Sequence, residues 1–496
     1  MGDQLIERGR MGQVHKPVIE DIYPLSPMQQ GMLFHSLSAP GAGEYILQSV
    51  STLRGDLDVD AFTRAWQQVV DRHPVLRTTF IWEQRETPLQ VVARQARLPW
   101  ERQDWRGLEP TEQDERLKLY VDEDRRRGFN LSKPPLMRCA LIRLAEDAYA
   151  FVWSFHHLLL DGWSISLLQK ELFAFYDAFR QGRDLPLERP QPYRDYITWL
   201  RRQDIAEAET FWRGWLKGFS VPTPLDRART QNGEAAGGEY FEHSLQVPEQ
   251  VAGALAELAR RHQLTTNTVV QGIWALMLSY YSGERDIVFG TTVSGRQAPL
   301  PGIESMVGLF FNALPVRVKL PANEPLLSWL KTFQQRQVEL RQYEHTSLMQ
   351  IQMWSEVPRG QPLFRSIFGF ENYPTEAFSS RLGGGAQISN FRVIEKTNYS
   401  LSVMAWHGAD LRLKFFYDSL CFDAPAIARM GDHFQALLDA VIKRPEAELH
   451  ELQATLAESD ERRRRVTEEQ IEKISLEKLA GIKRRANLRA SAKVRD

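Results

Sequence analysis

Residues 156–162 read HHLLLDG, with two adjacent imidazoles, His156 and His157, then a carboxylate, Asp161, and a glycine, Gly162. Histidine is the side chain suited to hold or exchange a proton near neutral pH. A carboxylate nearby can orient an imidazole, or can pair with an arginine and fix the loop. Three chemistries fit these residue types. Both histidines can be satisfied core or loop residues. His157 and Asp161 can be metal ligands; their spacing suits one turn of helix, but no further His, Cys or acidic cluster nearby completes a shell. Or one histidine assists acyl transfer from the mouth of a cleft. Spacing alone leaves all three open.

The flanking residues say how the histidines are held. Residues 149–155 (YAFVWSF) are aromatic and β-branched and predict a buried strand. Residues 163–179 place Ile165, Leu168, Leu172, Phe175 and Phe179 at the spacing of one helix face. The motif is therefore expected on a strand-to-helix turn, with Gly162 free of the usual backbone limits. Elsewhere the pattern alternates. Helices are predicted over 60–71, 206–219, 250–262, 268–281 and 425–442, and strands over 135–144 and 286–293. A proline-containing connector, 221–224, precedes a second mixed half, and no sequence repeat relates the halves.

Composition narrows the classes. The chain has 496 residues, 43% of them hydrophobic, enough for two or three lobes with a sizeable core. A formal net charge of −1 gives no sign of a nucleic-acid partner. The only cysteines, Cys139 and Cys421, argue against a disulfide framework or zinc site and suit a reducing cytoplasm. No apolar run approaches the ~20 residues that span a bilayer, and the N-terminus has no signal-peptide core.

The string HHLLLDGWS resembles the HHxxxDG signature of non-ribosomal peptide synthetase condensation domains. It comes in company and in order: YPLSPMQQGMLFHSL (23–37), RHPVLRTTF (72–80), YRDYITWL (193–200), MVGLFFNALPVRV (306–318), FGFENYP (368–374) and FFYDSLCFD (415–423) each look like a segment of that family. The resemblance runs from about residue 20 to residue 460. It implies an α/β fold of two chloramphenicol-acetyltransferase-like lobes, set as a V-shaped pseudo-dimer with the active site in the cleft between them. The lobes are expected at 21–200 and 201–460, after an extension, 1–20, and before a basic tail, 461–496.

The resemblance also implies roles. His157 is the residue on which activity is expected to depend, as general base toward the attacking amine or as its hydrogen-bond partner. His156 is expected to support the loop. Asp161 is expected in a salt bridge with an arginine of the second lobe, matched here by Arg296 in VSGRQ. Gly162 lets the backbone come close, and its amide is a candidate oxyanion donor. Arg72 and Arg77 are candidate braces of the active-site loop, with surface salt bridging as the simpler explanation for either alone. Asn312 and Arg317 lie in the motif beside the cleft floor. The implied reaction joins an acyl or peptidyl thioester, carried on the phosphopantetheine of a carrier protein, to an amine, or less often to an alcohol. No intrinsic cofactor or metal is implied. DGWS stands where epimerisation domains continue DGVSWR, and the aspartate-rich motif of heterocyclisation domains is not present.

No carrier or adenylation motif flanks these segments, so a free-standing protein meeting donor and acceptor carriers in trans is expected. Basic residues outnumber acidic ones after Glu461. Thr467 and Gln470 can form a capping box, and Leu476, Leu479 and Ile482 lie beside Lys483, Arg484 and Arg485. This segment resembles C-terminal docking motifs that pair with the β-hairpin domain of another synthetase subunit; a solvated tail without a partner is the alternative. Two rivals to the amide-forming enzyme are kept: an ester-forming acyltransferase, and a non-catalytic docking or gating module.

Overall fold

The computed structural model describes residues 18–39, 41–225, 240–371, 385–408 and 410–465. The docking motif expected at 475–486 lies outside the described residues, as does most of the N-terminal extension.

The first half builds β1 (Ile19–Pro24), α1 (Pro27–Ser38), β2 (Ile46–Arg54), α2 (Val59–Arg72), β3 (Thr78–Ile81), β4 (Leu89–Ala93), β5 (Trp100–Asp104), α3 (Pro110–Arg127), β6 (Met137–Ala145), β7 (Ala148–His156), α4 (Gly162–Arg180) and α5 (Tyr193–Leu200), followed by α6 (Ile205–Leu216), which packs into the core of the second half. The second half adds β8 (Tyr240–Val247), α7 (Glu249–Arg261), α8 (Thr266–Ser282), β9 (Asp286–Val293), β10 (Asn312–Lys319), α9 (Leu326–Arg341), α10 (Leu348–Trp354), β11 (Ser366–Glu371), β12 (Gln387–Ile394), β13 (Leu401–His407), β14 (Leu411–Asp418) and α11 (Ala424–Lys443). Each helix and strand expected from periodicity is found, with ends moved by a few residues.

Each half centres on a mixed sheet. The first has the order β12-β2-β7-β6-β5, the second β10-β9-β11-β13-β14-β8. A small sheet, β1-β4-β3, caps the first. β7 is buried along nearly its whole length because it lies between β2 and β6 with both faces covered. On one face α2 and α4 pack over Trp66, Phe151 and Trp153, with the Trp66 and Trp153 rings 4.8 Å apart. In the second half α8 is buried on nearly every side, between its sheet and α9 and α11. Trp274, Phe289, Phe368 and Phe415 fill that core.

The expected two-lobed α/β arrangement is the one observed, but a clean cut at residue 200 does not describe its packing. β12, from the second half, is the edge strand of the first sheet, antiparallel to β2. The β9–β10 connection also reaches across: Ile303, Met306, Leu309 and Phe310 are buried in the first core. Gly308 in that connection has no room for a side chain, since a Cβ there would lie 2.2 Å from the Tyr193 ring. Two segments of the second half are thus built into the first.

Candidate active site

The turn forms because β7 ends at His156 and α4 starts at Gly162, with Asp161 as its N-cap. Asp161 Oδ1 accepts from Ser164 N–H at 2.7 Å, which satisfies one of the free amides at the helix start. The same carboxylate is fixed from the other lobe. Arg296 Nη2 donates to Oδ1 at 3.2 Å and to Oδ2 at 3.3 Å, and Phe310 N–H donates to Oδ2 at 3.1 Å. Both side chains of the ion pair are buried. Arg296 also donates to the carbonyls of Ile303 and Met306 and to Ser164 Oγ, and lies 4.0 Å over the Phe310 ring. Ser164 Oγ completes the junction by donating to Gly308 O and accepting from Gly308 N–H.

The two histidines have opposite surroundings. His156 is buried. Its Nδ1 accepts from Leu158 N–H at 3.2 Å, so Nε2 carries the proton and donates to Ser36 Oγ at 3.3 Å. Burial, helped by His157 beside it, pushes its pKa down to about 3. It is a neutral, fully engaged support. His157 Nδ1 lies 2.5 Å from Leu160 O; a carbonyl only accepts, so Nδ1 must donate. Nε2 of the neutral ring then carries the lone pair, and it faces Glu395 Oε1 at 3.7 Å. The Phe311 ring packs against the imidazole at 5.0 Å.

A second-half strap closes the other side. Residues 395–400 run from β12 to β13, and so from the first sheet to the second. Tyr45 meets this strap in a left-handed conformation, φ +58°, which a bulky residue adopts only when its neighbours impose it. Its N–H donates to Lys396 O, its hydroxyl donates to Asn398 Oδ1, and its carbonyl accepts from His157 N–H. The backbone of the histidine turn and the strap are therefore joined through one residue. Glu371, half-buried at the end of β11, shares this region. Burial first, then the nearby charges of Glu395 and Asp161, raise its pKa to about 8.

The remaining expected site residues lie elsewhere. Arg72 pairs with Glu171 and donates to the carbonyls of Leu187 and Glu188. Arg77 is buried and binds Glu20 and the carbonyls of Val70, Asp71, Ala93 and Arg94. Neither touches the histidine turn, so bracing of that loop is corrected to anchoring of α2 and the small sheet. The alternative of a surface ion pair also fails for Arg77, because it is buried. Asn312 is buried and holds the Glu344 and Thr346 carbonyls. Arg317 pairs with Asp286. His157 and Asp161 point to different partners, and among the described residues no three His, Cys, Asp or Glu side chains are grouped to hold a metal ion. Glu395, Phe311, Tyr45, Ser164 and Glu371 are the neighbours of the turn and strap not singled out from the sequence. Ser164, three residues past an Asp N-cap, is the one among them whose spacing signals its part in the turn.

The family model for the condensation domain matches residues 19–462. A linear gramicidin synthase of Brevibacillus parabrevis is 45% identical over 438 residues, which cover 88% of this chain and 8% of that protein. Bacitracin synthase 3 of Bacillus licheniformis is 35% identical, over 90% of this chain and 7% of that one. The chain thus spans less than a tenth of the length of these relatives. Among solved structures, the first condensation domain of the calcium-dependent antibiotic synthetase, in complex with a substrate analogue, superposes with a TM-score of 0.71. Its sequence is 19% identical, with 87% of this chain and 99% of that one covered. A four-domain nonribosomal peptide synthetase bound to AMP and glycine gives a TM-score of 0.75 at 19% identity, over 89% of this chain and 35% of that one.

Two predictions come from this geometry. Arg296→Ala leaves the Asp161 charge buried without its cation, at a cost of about 3–5 kcal/mol. Adding Asp161→Asn in the same chain should recover part of that loss, as read by urea denaturation of the single and double variants. The second concerns acid. Unfolded, His156 takes a proton near 6.5; folded, it does not until about 3. Its contribution to stability is therefore complete above 6.5 and is lost as the pH falls toward 3. His156→Gln should flatten the fall of the denaturation midpoint between these values, whereas parallel curves would rule the assignment out.

Proposed function

The chain belongs to the condensation-domain family, and from that premise we propose that it joins a carrier-bound acyl or peptidyl thioester to an amine. The product is an amide. The observation that carries this reading is His157: Nδ1 is committed to Leu160 O, so the Nε2 lone pair is turned toward the strap and held there. Asp161 is engaged with Arg296 and serves as a structural group.

The reaction asks little of the protein beyond alignment and the handling of a proton. A thioester is already activated toward an amine, and holding the two reactants together lowers the remaining barrier. The amine nitrogen attacks the thioester carbonyl carbon, the C–N bond forms and the C–S bond breaks. His157 Nε2 accepts or stabilises the proton that nitrogen sheds and can return one to the departing thiolate. Positioned help of this kind is worth roughly 10²–10⁴-fold. Gly162 opens α4, where amides have no partner within the helix, and its N–H is the donor assigned to the developing oxyanion in this reading. The donor arrives on the phosphopantetheine arm of a carrier protein, and the acceptor on a second carrier or as a small free amine. Carriers presented in trans and the basic tail as a docking segment belong to this proposal.

The test mixes the purified protein with donor thioesters on separate carrier proteins and with a panel of amine and alcohol acceptors, followed by mass spectrometry. Amide product that falls by about 10²-fold or more in His157→Ala supports the assignment. Ester as the only product would make the chain an alcohol acyltransferase. Carrier binding without turnover of any pair would favour a gating module, and unchanged turnover in the variant would remove His157 from the chemistry.

A further inference from the structure

Two acceptors face each other at the centre of the site. His157 Nε2 carries a lone pair when the ring is neutral, because Nδ1 is held as the donor to Leu160 O. Glu395 Oε1 lies 3.7 Å away, beyond hydrogen-bonding distance. Neither atom can donate to the other in that state. What suits both is a third group rich in N–H donors. An ammonium offers three donors and a positive charge; an alcohol offers one donor and none.

The charges around this gap favour the same occupant. Asp161 is neutralised by Arg296. Glu371 holds its proton near neutral pH because it is buried close to other carboxylates. The ammonium of Lys396, next in the chain to Glu395, is turned to Ala42 O. Glu395 therefore brings a negative charge to His157 that no cation of the protein has been seen to claim among the described residues. Its side chain is 29% exposed, so an incoming molecule can reach it. The other titratable groups around it are Tyr45 and Tyr240, both kept neutral chiefly by burial.

We propose that Glu395 is the recognition residue for the acceptor: its carboxylate binds the incoming amine as an ammonium ion beside His157 Nε2. This deepens the proposed function and rests on it. The bound ammonium gives one proton to Nε2, and the resulting imidazolium pairs with Glu395. The freed nitrogen lone pair then attacks the thioester carbon. The C–S bond breaks, the thiolate takes the proton from His157, and the second proton shed by nitrogen passes to solvent. Ammonium and thioester thus become amide, thiol and one released proton. On this account the carboxylate favours amines over alcohols, because only an amine arrives as a cation at neutral pH.

The experiment uses the whole chain as wild type, Glu395→Gln and Glu395→Asp, with one donor thioester. The acceptors are aminoacyl pantetheine thioesters and their α-hydroxyacyl counterparts, the latter measured as substrates or as competitive inhibitors. Glu395→Gln should raise KM for the amine by about tenfold or more, the size expected when a charge-assisted hydrogen bond is lost. The affinity for the hydroxy counterpart should change by less than about twofold, within the small effects of neutral surface changes. Glu395→Asp, which keeps the charge, should recover much of the amine affinity. An equal loss for both acceptors would assign Glu395 to orienting His157 instead, and no loss for either would leave it without a role; each result overturns the inference. If wild type forms amide while Glu395→Gln behaves identically, the inference fails and the proposed function stands. If wild type forms no amide with any acceptor, both fall.

Discussion

The buried ion pair between Asp161 and Arg296 is the contact on which the rest of the site depends. Removing two charges from water is costly, and attraction between them offsets that cost only when the remaining polar atoms are also satisfied. Here they largely are. Each carboxylate oxygen of Asp161 accepts a backbone N–H as well as the guanidinium, from Ser164 and Phe310. Arg296 spends its donors on two carbonyls, a hydroxyl and the carboxylate, leaving Nε without a partner. The pair therefore does more than join two side chains. It ties the start of α4, in the first half, to the β9–β10 connection of the second, and so fixes where the histidine turn sits.

With the turn fixed, the backbone decides what each histidine can be. Leu158 N–H reaches Nδ1 of His156, while Leu160 O reaches Nδ1 of His157. One ring is thereby made an acceptor at Nδ1 and the other a donor. The same two residue types, adjacent in the chain, end with opposite tautomers. His156 has both nitrogens engaged and is buried where protonation is disfavoured. His157 has one nitrogen engaged and one turned toward Glu395. The difference comes from two main-chain groups two residues apart, not from any difference in the side chains.

That division explains what could be read in the sequence and what could not. The strand, the turn and the helix around the histidines are local, and periodicity with an N-capping aspartate is enough to place them. The likeness of the motifs to a known family supplied the partner for Asp161, because Arg296 lies in a recognisable string. Arg72 and Arg77 sat in an equally recognisable string, yet their partners are Glu171, Glu20 and main-chain carbonyls, none of them in the histidine turn. A motif marks a residue as constrained without saying by what. Glu395 and Tyr45 had no local signal. Glu395 reaches the site through β12 crossing to pair with β2, and Tyr45 through the pairing of β2 with β7, long-range strand pairings that composition and spacing do not encode. The division at residue 200 follows chain order, whereas β12 and the β9–β10 connection of the second half pack into the first.

The crossing strand also gives the site its electrostatic character. Three carboxylates lie around the histidine turn and its strap, and each is handled differently. Asp161 is paired with a guanidinium and held by amides, so its charge is used in fixing the turn. Glu371, at a strand end, lacks such a cation, and the cheaper state for it is the protonated one. Glu395 arrives on the strap, partly open to solvent, 3.7 Å from His157 Nε2. Water screens an exposed charge but a closed cleft does not, so the attraction between Glu395 and a cation strengthens as a substrate excludes solvent. The second half thus supplies both the arginine that holds the turn and the carboxylate that faces His157 Nε2, so both contacts depend on how that half is seated on the first sheet.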